Sequence, residues 1–448
     1  MATVTDMTAG RPLTRIFRFA LPLILTNLGQ QFYMIADAAI VGRGVGVDAL
    51  AAVGATDWIW WLILWAVMGM TQGFSTYVSR YFGEGNRERM SRTVAASVTL
   101  TAALGIALTV AGILLARPLL ILLNTPENIF AGAHTYLVTM SAGTLVVAAY
   151  NMAGSILRAL GDGRTPFLAM VVAAVLNIGL DLLFVLGFGW GIFGAALASV
   201  LAQLVAFFLC FFAILRLGCI RITRDMWRPD RRLALPMLAL GLPLAMQSVV
   251  ISLGGIILQS SVNLEGSAFI AGYTATNKVY GLLECSAISL GLAASTFLSQ
   301  NFGARRFIRF RQGMRAAVIL SVLASLVVAV VAFLLRRPLI GLFLDTGVSE
   351  GAEALAVGVR YLTVLTLLLF ILYLLHIFRN ALLSLGNSFY SMISGIAELA
   401  ARALMAKAAV RVLGQDALFL AEPIAWAVAL AVVMIPYFVY RRTRLREE

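Results

Sequence analysis

The sequence predicts an all-α polytopic membrane protein of twelve transmembrane helices, arranged as two parallel six-helix repeats (an N-lobe and a C-lobe) around a central cleft. Three observations carry that prediction. The 448 residues are 61% hydrophobic and 12% charged, whereas a soluble chain is about a quarter charged. Mean hydropathy is +0.93. One core cannot hide so much apolar surface, so the solvent must be lipid. Twelve stretches are long enough to cross a bilayer, and the second six repeat the first.

A crossing needs about 20 mostly apolar residues. Span 1, at 13–36, follows a polar start with Arg11, Arg15 and Arg18 near its entrance, and it holds Pro22. Span 2, at 50–78, opens on Trp58, Trp60, Trp61 and Trp65, a cluster suited to a membrane interface. Span 3 is at 92–115, span 4 at 129–157, span 5 at 165–188 and span 6 at 191–215. The stretch 216–234 is polar, basic and contains Pro229, which marks it as the linker between halves. Span 7, at 235–262, holds Pro243, placed like Pro22 in span 1. Spans 8 to 12 fall at 268–297, 313–335, 353–382, 388–412 and 417–440. The organisation expected is therefore an N-terminus at 1–12, an N-lobe at 13–215, the linker, a C-lobe at 235–440 and a tail at 441–448.

Arginines orient the bundle. They gather near the N-terminus, after span 2 (Arg80, Arg87, Arg89, Arg92), after span 4 (Arg158, Arg164), in the linker, after span 8 (Arg305, Arg306, Arg309, Arg311, Arg315) and in the tail (Arg441, Arg442, Arg444, Arg446). All of these gaps lie on one side, which the charge rule makes cytoplasmic, with both termini. Arg43, Arg117, Arg336 and Arg337 are exceptions near helix ends. The net charge of +13 thus reports topology and excludes nucleic acid as the expected partner. The linker could also lie along the inner leaflet, where anionic lipid attracts arginine. No cleavable signal is expected; the destination is a bacterial plasma membrane.

The duplication rests on four matches in the same order. "RPLLILLNT" at 117–125 answers "RPLIGLFLDT" at 337–346, and Pro118 and Pro338 are 220 positions apart. "YVSRYFGEGNRERM" at 77–90 answers "FLSQNFGARRFIRF" at 297–310. "ALPLI" at 20–24 answers "GLPLA" at 241–245, and "RALGD" at 158–162 answers "LSLGN" at 383–387. Six spans per half make the repeats parallel, the arrangement of a transporter that rocks two lobes about a shared cleft.

Ionisable groups inside spans cost roughly 2.5–3.5 kcal/mol at a helix centre, so they persist where they face a partner or a cavity. Asp37 lies late in span 1, one turn beyond Tyr33. Asn177 and Asp181 in span 5 are four apart and share one helix face. Ser199 in span 6 adds a hydroxyl. This oxygen-rich set suits a hard cation such as Na⁺; equally, desolvation favours a carboxyl that carries a proton. The plainer alternatives are a structural Asp181 bonded to a neighbouring helix and a solvated Asp37 at a helix end. In the second half, Glu398 and Arg402 are four apart and can pair on their own helix or line the cleft. Glu284 has no opposite charge at helical spacing and is the second-half candidate for a cationic substrate. His376 is read as a packed residue. The scattered Cys210, Cys219, Cys285, His134 and His376 form no metal or redox motif, so no cofactor is expected.

The chain resembles the MATE family of multidrug and toxic compound extrusion transporters along nearly its whole length. The resemblance is carried by residues 20–54, by "LGDGRTPFLAMVVAAVLNIGLDLLFV" (160–185), by "GIFGAALASVLAQ" (191–203) and by 271–306. It implies an antiporter, not an enzyme, that exports organic cations in exchange for Na⁺ or H⁺. A prokaryotic N-lobe cation site would fall on Asp37, Asn177, Asp181 and Ser199. Tyr33, Tyr136 and Asn151 resemble its polar surroundings, and Pro22 matches the proline tied to span-1 bending. Span 7 offers Gln247 but no carboxylate, so the C-lobe cation site of some relatives is not expected here. Glu284, Glu398 and Arg402 remain candidates for the substrate cleft, and the protein is expected to act as a monomer in the bilayer. A lipid-linked precursor flippase of related fold is the alternative, kept open by Arg402, Lys407 and Arg411.

Overall fold

The computed structural model describes residues 4–228, 230–344, 349–443 and 445. Pro229 of the linker, Arg444 and Arg446 of the tail, and the end of the 337–346 repeat motif lie outside the described residues. The first six spans become α1 (Pro12–Gly44), α2 (Val47–Glu84), α3 (Arg87–Leu122), α4 (Glu127–Ala142), α5 (Thr144–Ala159), α6 (Arg164–Asp181) and α7 (Gly191–Arg216). The rest become α8 (Arg231–Val262), α9 (Ser267–Gly303), α10 (Phe307–Leu334), the short α11 (Arg336–Gly341), α12 (Ser349–Ser384), α13 (Phe389–Leu404), α14 (Val410–Leu413) and α15 (Asp416–Thr443). A π-helical turn, Leu182–Gly187, extends α6, and a second, Met405–Ala409, joins α13 to α14. No strand occurs among the described residues.

Nine of these helices are long and apolar enough to cross a membrane, and a tenth crossing is the bent pair α4–α5. The two remaining expected spans are α1, 33 residues long, and the interrupted α13–α14. Many helices outrun the 20-residue minimum, as α2 does with 38 residues, a length that fits tilt or extension past the hydrocarbon. The side chains left outside the packed interior are what a lipid solvent accepts. On α10, Leu323, Leu326, Val327 and Leu334 are all more than half exposed.

Span 4 differs from its expectation as one continuous helix. It breaks between α4 and α5 with a 46° bend at Gly143. The cause is a neighbour: a Cβ at Gly143 would stand 2.3 Å from Cγ2 of Val200 on α7. Only glycine lets α7 approach so closely, and the backbone turns to admit it.

The chain divides into two compact units. One holds Leu25–Ala245 with the residues up to Met7; the other holds Thr8–Ile24 with the residues from Met246 onward. Both α1 and α8 are therefore shared between units, and each division falls just past an internal proline, Pro22 or Pro243. Proline removes a backbone donor and loosens the helix at that place.

The first unit packs Phe74, Val78, Met90, Val94, Ile156 and Met237 as one core. There α2 and α8 touch backbone to backbone. A Cβ on Gly73 would lie 2.5 Å from Cα of Gly241, and one on Gly69 would lie 2.6 Å from N of Ala245. Gly73→Val is accordingly expected to cost about 1–3 kcal/mol by overpacking, read as a lower unfolding temperature in detergent. Gly281→Ala on α9, where no neighbouring atom lies within 4 Å, should instead gain about 0.5–1 kcal/mol. In the second unit the core is aromatic. Tyr273 and Tyr361 stack at 4.5 Å, Phe419 stacks on Tyr361, and Phe269 on Phe419.

Candidate coupling site

Three helices of the first unit, α1, α6 and α7, contribute polar atoms to one place. Asn177 and Asp181 sit one turn apart on α6 and are fully buried. Asn177 satisfies its amide with the nitrogen donating to Oδ2 of Asp181 at 2.8 Å. Its oxygen then accepts from Oγ and the backbone N–H of Ser199, each at 3.2 Å. The reverse orientation would set the amide oxygen against a carboxylate oxygen. Ser199 on α7, 3% exposed, lies 3.0 Å from the Tyr33 hydroxyl on α1. Since Ser199 donates its one proton to Asn177, Tyr33 must donate to Ser199. The bonds thus run in one direction, from Tyr33 through Ser199 and Asn177 to Asp181.

Asp37, one turn beyond Tyr33 on α1, completes the group. Its carboxyl lies within hydrogen-bond reach of the Asp181 carboxyl. Each aspartate also keeps a buried oxygen, Oδ1 in both, that no protein donor satisfies. Two facing carboxyl groups with orphaned oxygens are short of positive charge. One shared proton or a small cation would supply it. Ser199→Ala cuts the relay in its middle. The lost hydrogen bond, worth about 1 kcal/mol, should weaken affinity for the coupling ion about fivefold, measured as the ion concentration giving half-maximal efflux.

Tyr136 on α4 is buried with Met140 and Ala196 and lies within electrostatic reach of Asp37, Tyr33 and Asp181. Asn151 on α5 is not joined to the chain of bonds: its amide donates back to Val147 of its own helix at 2.9 Å. Asp57 on α2 was passed over in the sequence, yet it acts electrostatically on both Asp37 and Tyr136. Its signal was present, as an acid among the tryptophans opening span 2.

The second-unit candidates gather differently. Glu398 and Arg402 of α13 pair at 3.2 Å and are nearly inaccessible. Arg379 of α12 bonds the other Glu398 oxygen and, through Nε, Ser394 at 2.9 Å. Arg402 also makes a forked pair with Glu422 of α15, at 3.0 and 2.8 Å, and donates to the Ile251 carbonyl of α8. Two arginines and two glutamates thus form a closed, balanced chain across α12, α13 and α15. Arg379 and Glu422 were unremarked in the sequence, though each is a lone charge inside an apolar span. Glu284 on α9 meets His376 of α12 at 3.7 Å. Glu398 and Arg402 lie 221 residues after Asn177 and Asp181, the offset that relates Pro22 to Pro243. The same register therefore holds a hydrogen-bonded Asn–Asp pair in one unit and an ionic Glu–Arg pair in the other. Among the described residues no three His, Cys, Asp or Glu side chains converge to hold a metal ion.

A family model, MatE, matches residues 22–183 and 243–406, each match opening on one of those two prolines. The probable multidrug resistance protein YoeA of Bacillus subtilis is 32% identical over 335 residues, covering 73% of this chain and 72% of that protein. The probable multidrug resistance protein YpnP of the same organism is 31% identical over 298 residues, covering 66% and 67%. Among solved structures, a MOP superfamily transporter from Pyrococcus furiosus shares the fold. The TM-score is 0.90, with 22% identity, over 99% of this chain and 98% of that one.

Proposed function

The chain belongs to the MATE family of multidrug efflux transporters, and from that premise we propose that it exports cationic amphipathic compounds in exchange for Na⁺ or H⁺ bound between Asp37 and Asp181. It is a multi-pass membrane transporter and not an enzyme. The observation that carries the proposal is the pair of buried carboxyl groups in mutual reach, each with an unsatisfied oxygen. A neutral packing role would leave such oxygens at high cost, whereas an exchangeable cation removes the cost each time it binds.

The cycle follows from differential affinity. The ion binds more tightly in one arrangement of the protein than in the other, and the drug does the reverse. Pro22 supports a moving part, because α1 passes from one compact unit to the other just beyond it. A change of helix direction there re-aims the stretch bearing Tyr33 and Asp37. Aromatic and methionine side chains along the drug's path would hold flat cations loosely and broadly. Tyr136 and Asn151 belong to the polar surroundings of the ion site in this reading. Glu284, 3.7 Å from His376, is the second-unit contact proposed for the drug, while Glu398 and Arg402 hold each other and their neighbours. Working as a monomer in a bacterial plasma membrane, with both termini cytoplasmic, needs no cofactor. The flippase reading weakens because Arg402 is committed to Glu398 and Glu422 and does not stand ready for phosphate.

The test is dye efflux from vesicles driven separately by a Na⁺ gradient and by a pH gradient. Export of a cationic dye under at least one gradient is expected. Export of an anionic lipid precursor, with no dye movement under either gradient, overturns the reading.

A further inference from the structure

The polar segment after α7 does not trail from the first unit; it folds back and encloses a groove on its surface. Ala96 and Leu100 of α3 and Leu233 of α8 make an apolar floor, packed against the core around Met90 and Val94. Arg92, Trp227 and Arg228 line it with them, and the groove is open to solvent. It is a built feature. The Arg221 N–H donates to Ser91 Oγ at 3.1 Å, Arg92 meets Asp225 at 3.6 Å, and a 3₁₀ turn, Arg224–Trp227, carries the tryptophan.

Charge says what could occupy it. Residues 216–232 hold six arginines against two aspartates. Both aspartates line the groove, and both are engaged within the protein. The Thr223 hydroxyl bonds the Asp225 carboxyl and holds it below the usual carboxylate range, with Arg92 and Arg228 adding to the effect. Asp230 accepts the Arg232 N–H at 2.9 Å at the start of α8. Arg92 also contacts Glu88 at 3.2 Å, but it is 45% exposed and has donors to spare. Exposed apolar side chains continue along α3 and α8 from the groove. Val98 and Ile106 on α3, and Leu235 and Leu242 on α8, are exposed apolar side chains just beyond it. Trp227, 47% exposed, is the amphipathic ring that favours the headgroup level.

We propose that this groove binds an anionic phospholipid of the bilayer, its phosphate between Arg92 and Arg228 and its acyl chains along the apolar faces of α3 and α8. The α7–α8 connection is thereby a lipid-held element, separate from the ion site. Two arginines near an anionic headgroup are worth roughly fivefold each in binding, so Arg92→Ala with Arg228→Ala should lower affinity about twenty-five-fold.

The test is native mass spectrometry of the delipidated full-length protein, titrated with phosphatidylglycerol, with phosphatidylethanolamine, and with inorganic phosphate. Retention of phosphatidylglycerol over the other two, lost in the double alanine variant and kept in Arg92→Lys with Arg228→Lys, is the expected result. Equal retention of the two lipids, displacement of phosphatidylglycerol by inorganic phosphate, or equal binding by wild type and double variant overturns the proposal. Photoactivatable phosphatidylglycerol on the wild type gives a reading that needs no variant. Labelling within 92–100 and 224–235 supports the site, and labelling confined elsewhere overturns it.

Discussion

Asp181→Asn is expected to abolish ion-driven export while leaving the protein at least as stable as the wild type. The amide has nearly the carboxyl's shape, so packing around position 181 is kept. What disappears is the charge that a proton or Na⁺ would neutralise. A neutral amide takes up neither ion near pH 7, and the exchange loses its driving partner. Dye efflux from vesicles should fall at least about tenfold under both gradients, the loss that follows from removing 1.4 kcal/mol or more of differential ion affinity. Stability should move the other way. A carboxylate buried between helices carries a desolvation cost of a few kcal/mol, and the substitution relieves it. Function lost with the unfolding midpoint held or raised is a signature that a merely structural aspartate would not give. Efflux retained by Asp181→Asn and by Asp37→Asn would remove both residues from the coupling role.

Arg402→Met should produce the largest loss of stability in the second unit. The guanidinium bonds Glu398, Glu422 and the Ile251 carbonyl from a site 5% exposed. Its removal leaves Glu422 without this forked partner beside a partly buried backbone oxygen, a disruption of the kind that costs about 3–5 kcal/mol. The loss should be largely reversed when Glu422→Gln is added, because the charge left behind is then removed too. A thiol-reactive fluorophore can follow unfolding, since Cys210 and Cys285 are buried thiols outside any disulfide. If the single and double variants both melt with the wild type, the ionic chain contributes little and the packing of α13 on α15 holds the unit alone.

The spans were legible from sequence because lipid exposure leaves its mark on composition, residue by residue. The break in span 4 was not, because its cause is Val200 on another helix pressing against Gly143. The ionic chain was half legible. The four-residue spacing of Glu398 and Arg402 predicts their pairing, but Arg379 and Glu422 arrive from α12 and α15, and no periodicity reports which helices meet. The candidate coupling site divides in the same way. Asn177 and Asp181 share a face by spacing alone, whereas the approach of Tyr33 to Ser199, 166 residues away, is tertiary. Asp57 adjoins an interfacial tryptophan cluster, and its influence on Asp37 depends on how α1 and α2 meet, which spacing does not report.

The two π-helical turns have a historical consequence. Each lodges a residue more per turn than an α-helix accommodates, and each follows directly on a polar pair: Leu182–Gly187 after Asn177 and Asp181, Met405–Ala409 after Glu398 and Arg402. Matching irregularities at matching places point to a single half-length ancestor that already possessed both the widened turn and the polar couple above it. Once that gene doubled, one copy kept an asparagine and an aspartate at the couple, and the other came to hold a glutamate and an arginine there, bound into an ionic chain with Arg379 and Glu422.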